Sequence, residues 1–437
     1  MEKMKKIVFT ISAIIMLLSS EQPIYGQDTL GYEVSPFQVS IIPPFSSNGP
    51  DNANMINNLS LNLFIGVSGG VDGVELGGFI NVDRFYVSGF QAAGFGNTVG
   101  GDVDGLQVSG FYNAVGGDAR YLQGAGFINV TGGAQFGLQG AGFANVIGSD
   151  LFGFQGAGFG NFVHGKVTGI QGSGFINVAA DTVKGLQGAG FMNVAGGYDK
   201  GIQASGFGNV SGKGKVNMQA AGFMNVAEEV DGMQAAGFMN IAGYVDGVQL
   251  AGFINVCDSI DGVPIAFINI VKKNGYRRFQ ISASETQYVS LSYKLGVERF
   301  YGIYSFGKPA GPDSRWLYGF GFGTQFPLKG KSFMNVEYLY SQEFYMGDER
   351  SSRFFHQQRF NSHNQLSATI GMPLGNFAEA FVGPTFNVAA AHTYSLLDSS
   401  IPWEPIGPDW AFFDRTYNSG WETNVAIWPG LKGGIRF

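Results

Sequence analysis

Few residues in this chain are of types that could do chemistry on a substrate or an ion. There are 4 histidines, His164, His356, His363 and His392. His356 and His363 share a stretch with Asp348, Glu349 and several arginines, a composition compatible with a metal or anion site. The Ser, Asn and Gly around them read as a solvated extracellular loop. Asp231-Gly232, Asp246-Gly247 and Asp261-Gly262 invite a calcium reading, but each offers a single carboxylate where calcium takes six to eight oxygens. Asp-Gly is therefore read as turn chemistry. No HExxH, GxSxG or P-loop pattern occurs, and Gly89-Phe90-Gln91-Ala92-Ala93-Gly94 belongs to a repeat rather than to a phosphate cradle. The lone Cys257 excludes an intramolecular disulfide framework and a cysteine zinc site. Trp403, Trp410 and Trp421 suit a membrane interface or glycan contact. The expectation is a chain with no catalytic, cofactor-binding or metal-binding residues.

What recurs instead is the side-chain amide. A Phe stands at Phe79, Phe95, Phe111, Phe127, Phe143, Phe159, Phe175, Phe191, Phe207 and Phe223, always 16 residues apart, and then at Phe238, Phe253 and Phe267 after steps of 15, 15 and 14. Two residues after each of these 13 phenylalanines is an Asn, among them Asn129, Asn145, Asn161 and Asn177. Four residues before, Gln fills 11 of the 13 places, including Gln139 and Gln155; Glu75 and Val263 are the exceptions. Gly precedes every Phe but one, where Ala266 stands.

Such units must be positioned by their neighbours. Leu138, Phe143 and Val146 are the apolar points of one unit, too few to be buried alone, so the units must stack. In a parallel β-solenoid each turn lies about 4.8 Å above the last, and identical residues form ladders: Phe on Phe, and amide bonded to amide along the axis. Phe127, Phe143, Phe159, Phe175, Asn129, Asn145, Asn161, Asn177, Gln139 and Gln155 are the expected ladder residues. The rival is one large antiparallel transmembrane barrel, since 138–146 approaches the 9–11 residues of a membrane strand. Constant spacing and a mid-unit aromatic disfavour it, because such barrels alternate short turns with long loops and carry aromatic girdles. The segment 59–66 sits one period upstream without the Phe and Asn at their places in the repeat and reads as a capping turn, with 27–58 a loose leader.

Composition agrees with an exported all-β chain. Of 437 residues 69 are Gly and 40 Phe, while only 14% are charged, against about 25% in ordinary domains. The net charge of -7 gives no electrostatic case for nucleic acid. Residues 1–26 read as a signal peptide: Lys3, Lys5 and Lys6, an apolar run over 7–18, and a cut after Gly26, the run being too short to span a membrane. After about Val271, eight alternating runs follow, at 278–284, 288–295, 299–306, 316–326, 332–344, 365–372, 378–389 and 426–437, many long enough to cross a tilted bilayer. The chain finishes on Leu431, Gly433, Ile435 and Phe437 at alternate places. A last strand ending on Phe resembles bacterial outer-membrane barrels, where it is an assembly signal.

The repeats, such as 247–256 (GVQLAGFINV), together with Asn274-Gly275-Tyr276-Arg277-Arg278-Phe279 and Gly383-Pro384-Thr385-Phe386-Asn387, resemble the bacterial surface-repeat proteins found in spirochaetes and Bacteroidetes. The likeness covers about residues 60 to 437, and an extra Gly before Phe departs from the shorter common unit. It implies an outer-membrane or surface location.

The expected architecture is all-β: a signal peptide (1–26), a leader (27–58), a parallel β-solenoid of 15–16-residue turns (59–271) and an antiparallel outer-membrane-type barrel of about eight strands (272–437). The expected role is non-enzymatic: structural, scaffolding or adhesive, at the cell outer membrane, with the solenoid periplasmic or surface-exposed. Partners would be outer-membrane lipid, the barrel-assembly machinery, and envelope glycans or other surface proteins. The alternative is a single large porin passing solutes.

Overall fold

The computed structural model describes residues 32–309, 315–345, 360–375, 377–394, 406–418 and 421–437. The signal-peptide segment, His356 and Trp403 lie outside them. The fold is all-β, a parallel β-solenoid of about 14 turns followed by an antiparallel sheet. The chain divides into two compact units, Met1–Gly196 and Gly197–Phe437, each described by itself.

In the middle of the first unit each turn supplies a longer and a shorter strand, as Val103–Ser109 and Tyr112–Val115 do, while turns such as Ile65–Gly77 and Ile176–Ala189 run as one strand. Each strand pairs in parallel with its equivalent 16 residues on, so that Gln107 faces Gln123 and Asn113 faces Asn129. Alternation along the strands points Gln107 and Asn113 inward and leaves Leu106 outward. The core of a coil is therefore divided. Val71, Val87, Val99, Val103, Val115 and Ala119 form an apolar spine at one edge, and the amides fill the other. Glycine stands where the two meet, between Leu151 and Gln155 in one turn. Gly153 sits at φ +140°, and a Cβ there would lie 2.0 Å from the Gly137 carbonyl oxygen.

The ladders form, but with the rings outside. Phe143 is 41% and Leu138 51% exposed, whereas Asn145 is fully buried. The interior is taken by Gln139 and Asn145, and their outward neighbours are the apolar residues. Stacking orders Leu138, Phe143 and Val146 without burying them.

The segment 27–58 is not a loose leader from Glu33 onward. Strands Glu33–Ser35 and Gln38–Ile42 pair in parallel with Met55–Asn62 and cap the stack. Gln38 and Ser40 point inward and Val39 and Ile41 outward, the same polar-in pattern without the Phe–Asn signature. The capping turn at 59–66 also carries more of the repeat than its sequence suggests. Ile65 pairs with Ile80, placing Phe64 beside Phe79, and the Asn62 side chain occupies the space a Cβ on Gly66 would need.

In the second unit the strands Gly208–Ala221, Met224–Ala236, Met239–Ala251 and Ile254–Ile265 continue the parallel register. The first step of 15 is absorbed between Val210 and Met218, away from the amides, so no face flips. Eight antiparallel strands follow: Tyr276–Ser284, Gln287–Val297, Phe300–Pro309, Arg315–Pro327, Phe333–Tyr345, Phe360–Leu374, Ala378–Tyr394 and Trp421–Arg436. The first pairs with the last, Gln280 opposite Arg436 and Ser284 opposite Lys432, closing a barrel. A ninth strand, Phe413–Asn418, lies beside the start of the last. Phe437 exchanges two backbone hydrogen bonds with Phe279 at the seam (2.8 and 3.1 Å), its ring outward.

Candidate functional site

Three arrangements concentrate polar chemistry: the amide ladders, a carboxyl pair in the first coils, and the barrel interior. Within the stack the Asn side chains use both amide hydrogens. Asn129 Nδ2 donates to Asn145 Oδ1 (2.8 Å) and to the Gly140 carbonyl (2.7 Å); Asn145 and Asn161 repeat this toward Asn161 and Asn177. Gln donates the other way, Gln139 Nε2 to Gln123 Oε1 (2.6 Å) and Gln155 Nε2 to Gln139 Oε1 (2.8 Å). The two columns thus run with opposed polarity. Outside them the rings stack nearly parallel, Phe127 on Phe143 at 4.8 Å and Phe143 on Phe159 at 4.9 Å between centroids.

Because the Gln column donates toward earlier turns, its first amide needs an acceptor, and Glu75 stands there. Gln91 Nε2 donates to Glu75 Oε2 (2.7 Å) and to Asp83 Oδ2 (2.5 Å). Ser60 (3.0 Å) and Asn62 Nδ2 (2.8 Å) donate to Glu75 Oε1, and Ser68 donates to Asp83. Both carboxyls are buried. Burial, and then the charge of Glu75, push the Asp83 carboxyl well above the usual carboxylate range. With both groups closed off from solvent, the pair terminates a ladder rather than attacking a substrate.

The barrel interior is a network of charges. Lys294 pairs with Glu337, which also accepts from the Tyr301 hydroxyl (2.8 Å). Arg436 donates to Glu379 (2.6 Å), Tyr276 (2.9 Å) and Gln325 (3.2 Å). Arg315 grips Glu343 through Nε (2.5 Å) and Nη2 (3.3 Å). Glu285 accepts from Asn387 (2.9 Å) and Trp428 Nε1 (3.0 Å). An eight-stranded interior is about wide enough for side chains alone, and these fill it. The outer wall is the reverse: Ile281, Leu291, Phe322, Ile370, Val382 and Leu431 are exposed.

His363 corrects one expectation. It is no solvated loop residue but fully buried in the strand Phe360–Leu374, its Nε2 3.0 Å from Asn387 Oδ1 and its ring stacked on Trp428 at 5.6 Å. His164 belongs to the first unit and His392 to the second, and no cluster of three His, Cys, Asp or Glu able to hold a metal occurs among the described residues. Trp410 is exposed. Cys257 is buried, its thiol pushed up to about 12 by burial and then by the charge of Asp258. Its place in the stack is that of Ala242 one turn earlier. The signal for Glu75 was present as an exception in the Gln column; nothing in the period marked Asp83.

Comparison of the chain with protein-family models, with curated proteins and with solved structures finds no match.

Proposed function

We propose that this chain is a non-enzymatic outer-membrane protein, its eight-stranded barrel the anchor and its coils a rigid scaffold. The observation that carries this reading is the inversion of the barrel. Lys294, Glu337, Glu343, Arg315, His363 and Arg436 are buried inside it while leucines, isoleucines and aromatics face out. A soluble closed sheet would bury its apolar face; exposure of the whole apolar wall suits hydrocarbon as solvent.

Other features fall in with it. The connections at one end are short, as at 298–299 and 328–332, and those at the other reach 346–359 and 395–412, the asymmetry of outer-membrane barrels. The signal-peptide reading of 1–26 and the resemblance to bacterial surface-repeat proteins point to the same compartment. Phe437 is the residue the barrel-assembly machinery would recognise. The single-porin alternative loses its basis, because the repeats pair in parallel and the small barrel is filled by side chains. A repeated surface suits multivalent contact with envelope glycans or other surface proteins.

The test is fractionation of envelopes from cells expressing the chain, with electrophoresis of boiled and unboiled samples. We expect the protein to stay with membranes after alkaline carbonate washing and to migrate faster unboiled. Release into the wash as a soluble species would refute the reading.

A further inference from the structure

We propose that the uncharged edge of the coils is immersed in lipid hydrocarbon, so that the coils next to the barrel lie half-sunk in the bilayer rather than free in water. The proposal rests on the membrane reading of the barrel.

Charge is the first argument. From Asp83 to Lys273, every Asp, Glu, Lys and Arg stands four to nine residues after a Phe of the column. The rest of each turn carries no charge outside. In the second unit it exposes Phe238, Val248, Leu250, Phe253, Ile265 and Phe267. The core is arranged oppositely: valine lies beneath the charged edge and amides beneath the apolar one. Each coil is thus built for water at one edge and for an apolar medium at the other.

Continuity with the barrel wall is the second. Phe267, last of the column, stacks on Phe320 at 4.9 Å and meets the edge of Tyr304 at 5.6 Å; the Tyr304 hydroxyl donates to the Phe267 carbonyl. Tyr304 and Phe320 pair with each other near the middle of their strands, on the outer wall. The charged edge of the same coil lies level with the barrel's end: Arg299, in the turn between the second and third strands, is 3.5 Å from Asp261. Phe267 lies six positions after Asp261, a reach of about 20 Å in extended chain. The hydrocarbon core is about 30 Å thick, so a coil with Asp261 at the aqueous surface sets Phe267 near mid-membrane.

Backbone satisfaction is the third. Hydrocarbon tolerates only structures whose polar backbone groups are paired internally. At the apolar edge Phe238 N bonds Phe223 O (3.1 Å), Met239 N bonds the same oxygen (3.0 Å) and Phe253 N bonds Phe238 O (3.1 Å). Asn240 spends its amide on the Leu250 carbonyl (2.7 Å) and Asn255 (3.0 Å). The coils of the first unit carry the same uncharged edge and the same pairing.

The test uses the full chain with Cys257→Ala, folded into dioleoylphosphatidylcholine vesicles, with one cysteine per variant: Leu250→Cys on the apolar edge, Asp246→Cys on the charged edge and Ile370→Cys on the barrel wall. Each is labelled with an environment-sensitive fluorophore and read with and without acyl-brominated lipid. We expect comparable loss of emission at 250 and 370 and little at 246. Quenching at 370 without quenching at 250 overturns the proposal while leaving the barrel in the membrane; a cysteine-250 crosslink between chains would then assign the face to a second copy. Quenching at neither position overturns both readings. Ile265→Cys repeats the measurement should Leu250→Cys fail to fold, folding being judged by tryptophan emission.

Discussion

Replacing Asn145 by Asp changes one atom in the middle of a ladder and should make the coils sensitive to pH in a definite direction. Asn145 accepts one hydrogen bond, from Asn129 Nδ2, and donates two, to the Gly156 carbonyl (2.7 Å) and Asn161 Oδ1 (2.9 Å). Aspartate keeps the acceptor and turns a lone pair toward two other oxygens. Protonated, it restores one donated bond and loses the other, at a cost of about 1–3 kcal/mol for a buried acceptor left unmet. Ionised, it sits buried against two acceptors, so its folded-state pKa must rise above the unfolded value of about 3.9.

A carboxyl with a raised folded pKa contributes its full share of stability below the unfolded pKa and loses it as pH rises toward the folded one. At about 1.4 kcal/mol per pH unit, the variant should lose about 4 kcal/mol more between pH 4 and pH 7 if the folded pKa reaches 7. The assay is urea unfolding at both pH values against the parent chain. All 5 tryptophans lie at 316 or beyond, so their emission reports the barrel, and far-ultraviolet circular dichroism adds the coils. The expected result is a dichroism midpoint that falls with rising pH while the tryptophan midpoint stays put. A variant as stable as the parent at pH 7, or one that weakens as pH falls, would refute the ladder reasoning.

Asp83→Asn removes the titrating carboxyl and, with an amide nitrogen in place of one carboxylate oxygen, keeps only one of the bonds accepted from Gln91 and Ser68; because burial and Glu75 raise the Asp83 pKa, the parent's coils should weaken as pH rises above the unfolded value of about 4 and the variant's should not, as seen by circular dichroism in urea. Lys294→Met leaves Glu337 buried without its cation and should cost about 3–5 kcal/mol, while the double variant with Glu337→Leu should cost much less, both read from the tryptophan midpoint. Gly153→Ala forces a side chain to φ +140° and against the Gly137 carbonyl; it should cost at least about 1–3 kcal/mol, whereas alanine at Gly140, which has open space, should change the dichroism midpoint little.

The period made the stacking legible, because identical residues at identical spacing leave few other ways to fold. It did not show which face turns inward. Gln139, Asn145, Leu138 and Phe143 recur with one period, and periodicity says which residues share a face, not what lies behind it. The barrel strands were legible to within a few residues where apolar residues alternate, as at Arg315–Pro327 against the expected 316–326. At 360–364 the expectation stopped short, because Asn361, Ser362 and His363 look like loop residues unless the interior is itself polar. The cap from Glu33 was hidden for the same reason: Gln38 and Ser40 follow the polar-in rule without the marker residues.

The opposed ladders also explain why the repeat has two different ends. The Asn column donates toward later turns, so it begins with an acceptor and ends with spare donors; Asn269 spends its amide on the Ala266 carbonyl (3.2 Å). The Gln column donates toward earlier turns, so its opening amide needs acceptors, and Glu75 and Asp83 provide them. At its far end Gln249 faces Pro264, which has no amide to give, and the column stops where Phe267 meets the barrel. A stack of identical coils would otherwise offer another chain's coil a matching edge. The carboxyl pair with the strands from Glu33, and Pro264 with the barrel, close those two edges with chemistry that the repeating unit does not contain.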